Sequence, residues 1–443
     1  MSRLLIGNDF TEELDGADRA REATACWYAQ RTLFFAEDGD TVVLPHAPTD
    51  VFLGYVTSLT GTDPASLRIV VPPARVHSQE HLSAERIADP SFHRALHEAI
   101  AGRPVDEVVM LYPDPRIVAL ARALGIGDAV PGGDFIMQSG GALANSKAAF
   151  RALASGTGVP VPEGAVCSDP SMAHDVVERL LGAGAPVIVK HEYRQASKGN
   201  EILSRHGGVT PRGAPRAVVL PDPESARKHL EAEWDRLTSG GRHRLVVERY
   251  FPDSASVFAE LLLTDAGVEL AGEGELIYAP TPRGQVMPAC RLPSGARGEL
   301  AVHSRRMGRL LWDMGHRGRV SMDAVVTPDG RLFFTEYNGR VTGSTHVYAI
   351  VGHRVVGRDY PGSRVLVEHV GLVVPSFESA VARLSAEGLA YDHESRTGVV
   401  LVSDLHTDDR DVIYCIVVDD VASAEKYRQR VERLFGDART ARS

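Results

Sequence analysis

The chain has 443 residues, enough for two to four domains at ~150 residues each. Hydrophobic residues make up 44% and charged residues 24%, an ordinary globular balance that excludes wholesale disorder. The 58 acidic residues outnumber the 48 basic ones and no long Lys/Arg run interrupts them, which argues against a nucleic-acid groove as the main surface.

The N-terminal stretch carries too few apolar residues for a signal-peptide core, and no window approaches the ~20 apolar residues of a membrane span. Cys26, Cys167, Cys290 and Cys415 are scattered without a CxxC pair, so neither a disulfide framework nor a zinc ribbon is indicated. A reduced, cytoplasmic protein is expected. Residues 1–135 alternate short strand-like runs (Leu4–Gly7, Thr41–Leu44, Val105–Tyr112) with helix-compatible segments (Ala17–Gln30, Phe92–Ala101). That alternation predicts an open α/β unit with a mostly parallel sheet. No GxGxxG follows the first strand, so the unit reads as a scaffold rather than a dinucleotide binder. The pairs His77/His81 and His93/His97 have i, i+4 spacing, but no third ligand is apparent and solvated or core histidines are the better reading.

A glycine cluster (Gly132, Gly133, Gly140, Gly141) marks the next boundary, and Asn145 or Ser146 then looks like an N-cap with Lys147 in the first helical turn. Only five residues of the chain are lysine, and Lys147, Lys190 and Lys198 fall within residues 147–200. Arginine is accepted wherever a generic positive charge suffices, so these compact ammonium groups are candidates for phosphate contacts. Ala185–Tyr193 reads as a strand with Lys190 at its exit, followed by a loop holding Ser197, Lys198 and Gly199. Alone, such a lysine could simply snorkel to solvent. No GxxxxGK[ST] exists, which excludes a P-loop, and no HRD or DFG follows to support a kinase. Leu245–Phe251 is a further strand whose edge could read an adenine, with Asp253 or Ser256 near a ribose, although a plain strand with a polar end explains it equally.

Ser256–Thr264 and Gly267–Pro280 are strands, Gly295–His316 is helical, and Arg319–Thr327 with Arg331–Arg340 forms a hairpin across Pro328-Asp329-Gly330. A two-residue Asp329-Gly330 turn would set Asp323 directly opposite Glu336, a Pro328-Asp329 turn would make the pair diagonal on the same face, and a three-residue loop would break that parity. Asn338 and Arg340 share the face of Glu336. Opposed carboxylates repel unless a cation or a shared proton lies between them, and two carboxylates plus an amide oxygen suit Mg²⁺ carrying substrate phosphates. The bland alternative is a solvated hairpin face. The tail from residue 346 carries more strands, such as Gly398–Ser403 and Asp411–Val418, and a last helix at Ala422–Phe435.

The order of these elements resembles the ATP-grasp superfamily. The resemblance rests on Lys147, Lys190, the loop to Asn200, the Glu248-Arg249-Tyr250-Phe251 hinge, and Asp323 with Glu336-Tyr337-Asn338-Gly339-Arg340, and covers about residues 136–345. The flanking regions look like those of the pheganomycin-type peptide ligases. The implied fold is α/β and α+β: a Rossmann-like pre-ATP-grasp domain over 1–135, an ATP-grasp core over 136–345 and a C-terminal α/β region over 346–443. Within the core, the ATP lobe is about 136–250 and the metal and catalytic lobe about 251–345.

The resemblance further implies ATP and two Mg²⁺ ions as cofactors, with Mn²⁺ as a substitute. Lys147 and Lys190 match the phosphate-gripping lysines; Ser197, Lys198 and Gly199 belong to the covering loop; Glu248, Arg249, Phe251 and Ser256 meet the nucleoside. Asp323, Glu336 and Asn338 match the metal ligands, and Arg340, Lys190 and Arg291 the catalytic positions. The loop after Lys190 is poorer in glycine than the family's usual version, so which of its residues meets the γ-phosphate stays open. The implied activity is ATP-dependent ligation of an amino-acid carboxylate, a guanidino-bearing one included, to a peptide N-terminal amine, through an acyl phosphate and in a homo-oligomer without nucleic-acid or membrane partners. Glu273 and Glu275 are candidates to meet a cationic substrate group, an ordinary solvated strand face being the simpler reading. Formation of a thioester or a carboxy-phosphate, or a non-catalytic ATP-binding module, are the alternatives.

Overall fold

The computed structural model describes residues 2–11, 19–74, 81–404 and 411–440. Three sheets organise them. The first is all parallel, in the order β3-β2-β1-β4, with β1 at Arg3–Ile6, β2 at Thr41–Val43, β3 at Arg68–Val70 and β4 at Glu107–Met110. This is the expected α/β unit, extended by the three-residue β3 that had given no sequence signal. Its helices start where the sequence supplies side-chain oxygens: Thr49 caps α2 (Asp50–Thr60), which follows α1 (Arg19–Tyr28), and Asp89 caps α3 (Pro90–Ile100). Asp114 caps α4 (Pro115–Ala123), and in α3 and α4 a proline occupies the first turn, where no backbone N–H is needed. His77 lies outside the described residues; His81 pairs with Glu22 at 2.6 Å and His93 Nε2 meets the Ile87 carbonyl at 2.8 Å, so neither His81 nor His93 is poised as a metal ligand.

The second sheet has the order β5-β9-β6-β7-β8: β5 Gly164–Cys167, β6 Val187–His191, β7 Asn200–Ser204, β8 Ala217–Val219 and β9 Leu245–Arg249. In front of it α5 (Lys147–Gly156) is capped by Ser146, whose Oγ accepts from the Ala149 N–H, which decides between the two expected N-caps. Helices α6 (Pro170–Gly182) and α7 (Pro223–Thr238) cover its other face, burying Val177, Leu181 and Leu230 against Val187, Val189 and Val247.

The third sheet runs β14-β13-β10-β11-β12-β15-β17-β16. Its strands are β10 Ala255–Thr264, β11 Gly267–Tyr278, β12 Pro282–Met287, β13 Gly318–Val326, β14 Leu332–Asn338, β15 Val365–Val373, β16 Gly398–Leu401 and β17 Asp411–Val418. This one sheet crosses the position expected to divide core from tail, because β12 pairs with β15. Helix α8 (Ser294–Asp313) packs against β10 and β13 through Leu300, Met307 and Leu311. The tail, with α9 (Phe377–Ala386) and α10 (Val421–Thr440), shares its core with the first unit: Phe34, Val42 and Phe52 pack with Leu366, Val400 and Ile416. The Tyr55 hydroxyl accepts from the Leu401 N–H at 2.9 Å, tying the same two parts. Among the described residues no helix is long and apolar enough to cross a membrane.

Candidate active site

The hairpin β13–β14 reaches the expected pairing by an unexpected route. Its loop has three residues, Pro328-Asp329-Gly330, closed by Thr327 N–H donating to the Arg331 carbonyl at 2.9 Å, with Gly330 at φ +85° as such a loop requires. The two-residue turn is therefore overturned, and the parity near the turn is the one that would send Glu336 to the wrong face. A β-bulge between the Asp323/Glu336 and Ala324/Phe334 pairs, where Thr335 is the extra residue, restores it. Asp323 consequently stands directly opposite Glu336, and Ser321 opposite Asn338.

These four side chains line a cavity of about 730 Å³ between the three sheets. Ser321 Oγ donates to Asp323 Oδ1 at 3.0 Å and Asn338 Nδ2 to Asp323 Oδ2 at 3.2 Å. Lys147, placed by the first turn of α5, sets its ammonium 2.9 Å from Glu336 Oε2 and donates to the Arg194 carbonyl at 3.1 Å. Burial works to raise Glu336, but Lys147, Lys190 and Arg340 outweigh it and hold this carboxyl below the usual range. Asp323, buried beside that charge, is pushed well above it.

Lys190, leaving β6, lies 2.6 Å from Glu248 Oε2, and Arg151 Nη1 holds the other oxygen of Glu248 at 2.8 Å. The Glu248 carboxylate, in the hinge, thus anchors two cations. There Phe251 stacks on Phe333 at 4.8 Å, with the Arg249 guanidinium 5.3 Å from the Phe251 ring. Arg249, Phe251, Ser256, Ser197 and Lys198 all line the cavity. The loop bearing the last two compensates for its lack of glycine by placing Ala196 and Ser197 at φ +50° and +64°, conformations that cost a non-glycine residue roughly 1 kcal/mol or more each.

Arg340 follows β14 into the cavity, donating to Asn145 Oδ1 with its guanidinium 5.2 Å from the Tyr112 ring. Gly339 makes this possible, since a Cβ there would lie 2.6 Å from Ala144 Cβ. Glu260, fully buried, accepts from the hydroxyls of Thr342, Thr345 and Tyr348 at 3.1, 2.7 and 2.7 Å and so pins the segment after Arg340.

Two expected residues lie elsewhere. Gly199 packs under His191 and Arg194 and does not line the cavity. Arg291 also stands outside the lining: its Nε pairs with Glu275 at 2.8 Å. The cations that Glu273 and Glu275 face are the chain's own Arg297 and Arg291, which removes them as open receptors for a substrate cation. Several lining residues gave no signal in the sequence. Ser321 was recoverable from hairpin parity, whereas Arg31, Tyr112, Gln285 and Glu368 come from segments distant in the chain.

Comparison with known proteins adds the following similarities. Residues 29–126 match the Pre ATP-grasp domain family, and residues 379–431 match the PGM1 C-terminal domain family. In these matches the chain resembles the ATP-grasp carboxylate–amine ligases. It is 27% identical over 365 residues to the L-propargylglycine–L-glutamate ligase of Streptantibioticus cattleyicolor, covering 76% of this chain and 71% of that one. To the [butirosin acyl-carrier protein]–L-glutamate ligase of Niallia circulans it is 25% identical over 228 residues, half of this chain and 49% of that protein. Among solved structures, N5-carboxyaminoimidazole ribonucleotide synthetase from Thermus thermophilus superposes with a TM-score of 0.58 at 14% identity, with 98% of both chains covered. The L-amino acid ligase from Bacillus licheniformis gives 0.53 at 12% identity, covering 98% of this chain and 97% of that one. The chain thus shares the ATP-grasp fold along nearly its whole length.

Proposed function

We propose that this ligase joins the carboxylate of an amino acid to the N-terminal amine of a peptide, through an acyl phosphate and with release of ADP and phosphate, in the making of a peptide natural product. The observation that carries the reading is the convergence of Lys147, Lys190 and Arg340 on the opposed Asp323/Glu336 pair, which suits a polyphosphate and its metal. The donor set fits Mg²⁺: two carboxylates with an amide that can present its oxygen, all hard donors, in a pair whose electrostatics call for a cation. Asp323, Glu336 and Asn338 would hold the metal, two ions being the expected number and Mn²⁺ a substitute. When bound, it neutralises charge on the transferring phosphoryl group.

The chain's own residues do the rest. Lys147 exchanges Glu336 for phosphate oxygens, and Lys190, steadied by Glu248, holds the α- and β-phosphates. Phe251 and Arg249 flank the base, and Ser256 the ribose. Arg340, fixed by Asn145, neutralises the charge that accumulates as phosphate is transferred to the acid and later expelled. The Ala196–Lys198 loop covers the phosphates and keeps water from the anhydride. In this division residues 136–345 handle the nucleotide, while residues 1–135 and 346–443 wall the organic substrates.

The test is a panel of amino acids and peptides with ATP and Mg²⁺, scored by mass for new amides and by nucleotide product. Amide with ADP is expected, and hydroxylamine should intercept a hydroxamate when the amine is withheld. Stoichiometric AMP with pyrophosphate sinks the reading. The similarity to a carrier-protein ligase favours a second reading, transfer of the acyl group to a carrier thiol, which would appear in the same panel as a thioester on an added carrier.

A further inference from the structure

We propose that Glu368, together with Gln285, forms a subsite for a protonated nitrogen carried by the acid substrate several bonds from its reacting carboxyl; this rests on the ligase reading above. Glu368 stands on β15 opposite Gln285 of β12, 4% exposed, and both line the cavity. Among the described residues its one hydrogen bond comes from Gln285 Nε2, and no Lys, Arg or His forms an ion pair with it. Other buried carboxylates of the chain are provided for: Glu248 has Lys190 and Arg151, Glu201 has Arg216 and His229, and Glu260 has three hydroxyls. The nearest cation, Arg31, is itself committed to Asp9 at 2.6 Å and to the carbonyls of Val341 and Thr342 at 3.3 and 3.2 Å. Burial accordingly pushes the Glu368 carboxyl up to about 7, opposed by the Gln285 hydrogen bond and the field of Arg31. A buried acid aimed into a binding cavity without a cation is an incomplete pair, and a substrate cation completes it.

The position sets the distance of that nitrogen from the chemistry. Gln285 Nε2 reaches the Gly343 carbonyl at 3.5 Å, three residues beyond Arg340, so the two ends lie within ~11 Å of chain. Arg340 acts on Asp323 and Glu336, whereas the cation felt at Glu368 is Arg31. Across the sheet, Ser256, Leu276, Gln285 and Glu368 form one row of partners, three strand spacings or ~14 Å long. An α-ammonium stays too close to the reacting carboxyl to bridge that gap. A nitrogen at the end of a short apolar stem, ~6 Å from its carboxyl, spans the part that the triphosphate leading away from Ser256 leaves open, and Tyr28, Val370 and Ile413 line the cavity for the stem.

The experiment uses the whole chain with Mg²⁺ and four five-carbon acids: pentanoate, norvaline, 5-aminopentanoate and ornithine. Binding is measured by calorimetry with a non-hydrolysable ATP analogue, and turnover by ADP release with hydroxylamine as acceptor. The two acids with a distal amine should bind about 100-fold more tightly than the two without. Glu368→Gln, of unchanged volume, should shrink that preference to within about threefold, and Glu368→Asp should keep part of it. A preference that follows the α-amine, equal binding of all four, binding of none, or an undiminished preference in a folded Glu368→Gln each overturns the subsite. Binding with the expected preference but no ADP or hydroxamate refutes the ligase reading and leaves the subsite standing.

Discussion

Replacing Glu336 by Gln changes one charge and almost no volume, which makes it the sharpest probe of the proposed metal pair. In the free protein Glu336 balances Lys147 at 2.9 Å. At an effective dielectric constant of about 20, unit charges ~3 Å apart attract by roughly 5–6 kcal/mol before solvation, and the net cost of breaking a well-formed pair is roughly 3–5 kcal/mol. Glu336 keeps 24% of its side chain exposed, so the stability cost falls at or below the lower end. The functional cost is separate: losing one anionic metal ligand removes charge stabilisation worth roughly 3–4 kcal/mol, a fall in kcat of about 10²–10³-fold. The sign of nucleotide binding distinguishes this from misfolding. With Glu336 neutral, the lysines and Arg340 face ATP with one opposing charge fewer, so metal-free ATP should bind at least as tightly as in the wild type. The tightening on adding Mg²⁺ should be largely lost. Calorimetry with and without Mg²⁺, beside ADP release, reads both. A folded variant with turnover within tenfold of wild type and intact Mg²⁺ dependence would refute the metal assignment of Glu336.

Lys190→Arg should lose at least ~100-fold in kcat/KM, because a guanidinium cannot sit between Glu248 and the phosphates as the ammonium does, and near-normal turnover would remove Lys190 from the phosphate site. Glu260→Leu leaves three buried hydroxyls without their acceptor; a loss of roughly 2–4 kcal/mol in urea unfolding is expected, with kcat falling more than KM rises as the segment after Arg340 loosens. At Glu201, burial works to raise the carboxyl, but His229, Arg216 and Arg236 outweigh it and hold it below the usual range. Its contribution to stability is therefore present above the unfolded-state value near ~4.3 and is lost as pH falls through the lower folded value. The Tm gap between wild type and Glu201→Gln should be full above about pH 5 and narrow progressively as pH falls below ~4.3, and a gap independent of pH would exclude an ionic role.

Much of the nucleotide half was legible because it is made of local patterns. Lys147 follows a capping serine, Lys190 ends an apolar strand, and Asp323, Glu336 and Asn338 share one hairpin face. The hairpin also shows how a right pairing can follow from a wrong turn. The loop proved one residue longer than expected and a bulge at Thr335 cancelled the shift, yet nothing in Phe333-Phe334-Thr335 announces a bulge. The substrate wall was not legible. Strand β12 opens on Pro282 and holds Gly284, features that count against a strand, so nothing in the sequence pointed to Gln285. Glu368 lies in β15, whose pairing with β12 spans about 80 residues and has no local signature.

This division has a physical origin. A phosphate site needs ammonium groups and hydrogen-bond donors at the ends of elements, and capping and strand-exit chemistry supply these within a few residues. A wall that selects an organic substrate needs a buried polar group with nothing of its own to pair with, and only tertiary packing creates that condition. Here the packing comes from the core shared by the first sheet and the tail, where Phe34, Phe52, Leu366 and Ile416 meet. That core fixes Arg31 against Asp9 and the carbonyls beside Arg340, and it buries Glu368 on the adjoining strand. With Arg31 already paired with Asp9, Glu368 has no ion-pair partner among the described residues. If Glu368 selects the acid as proposed, substrate choice rests on residues outside the proposed phosphate site, and the two can vary independently.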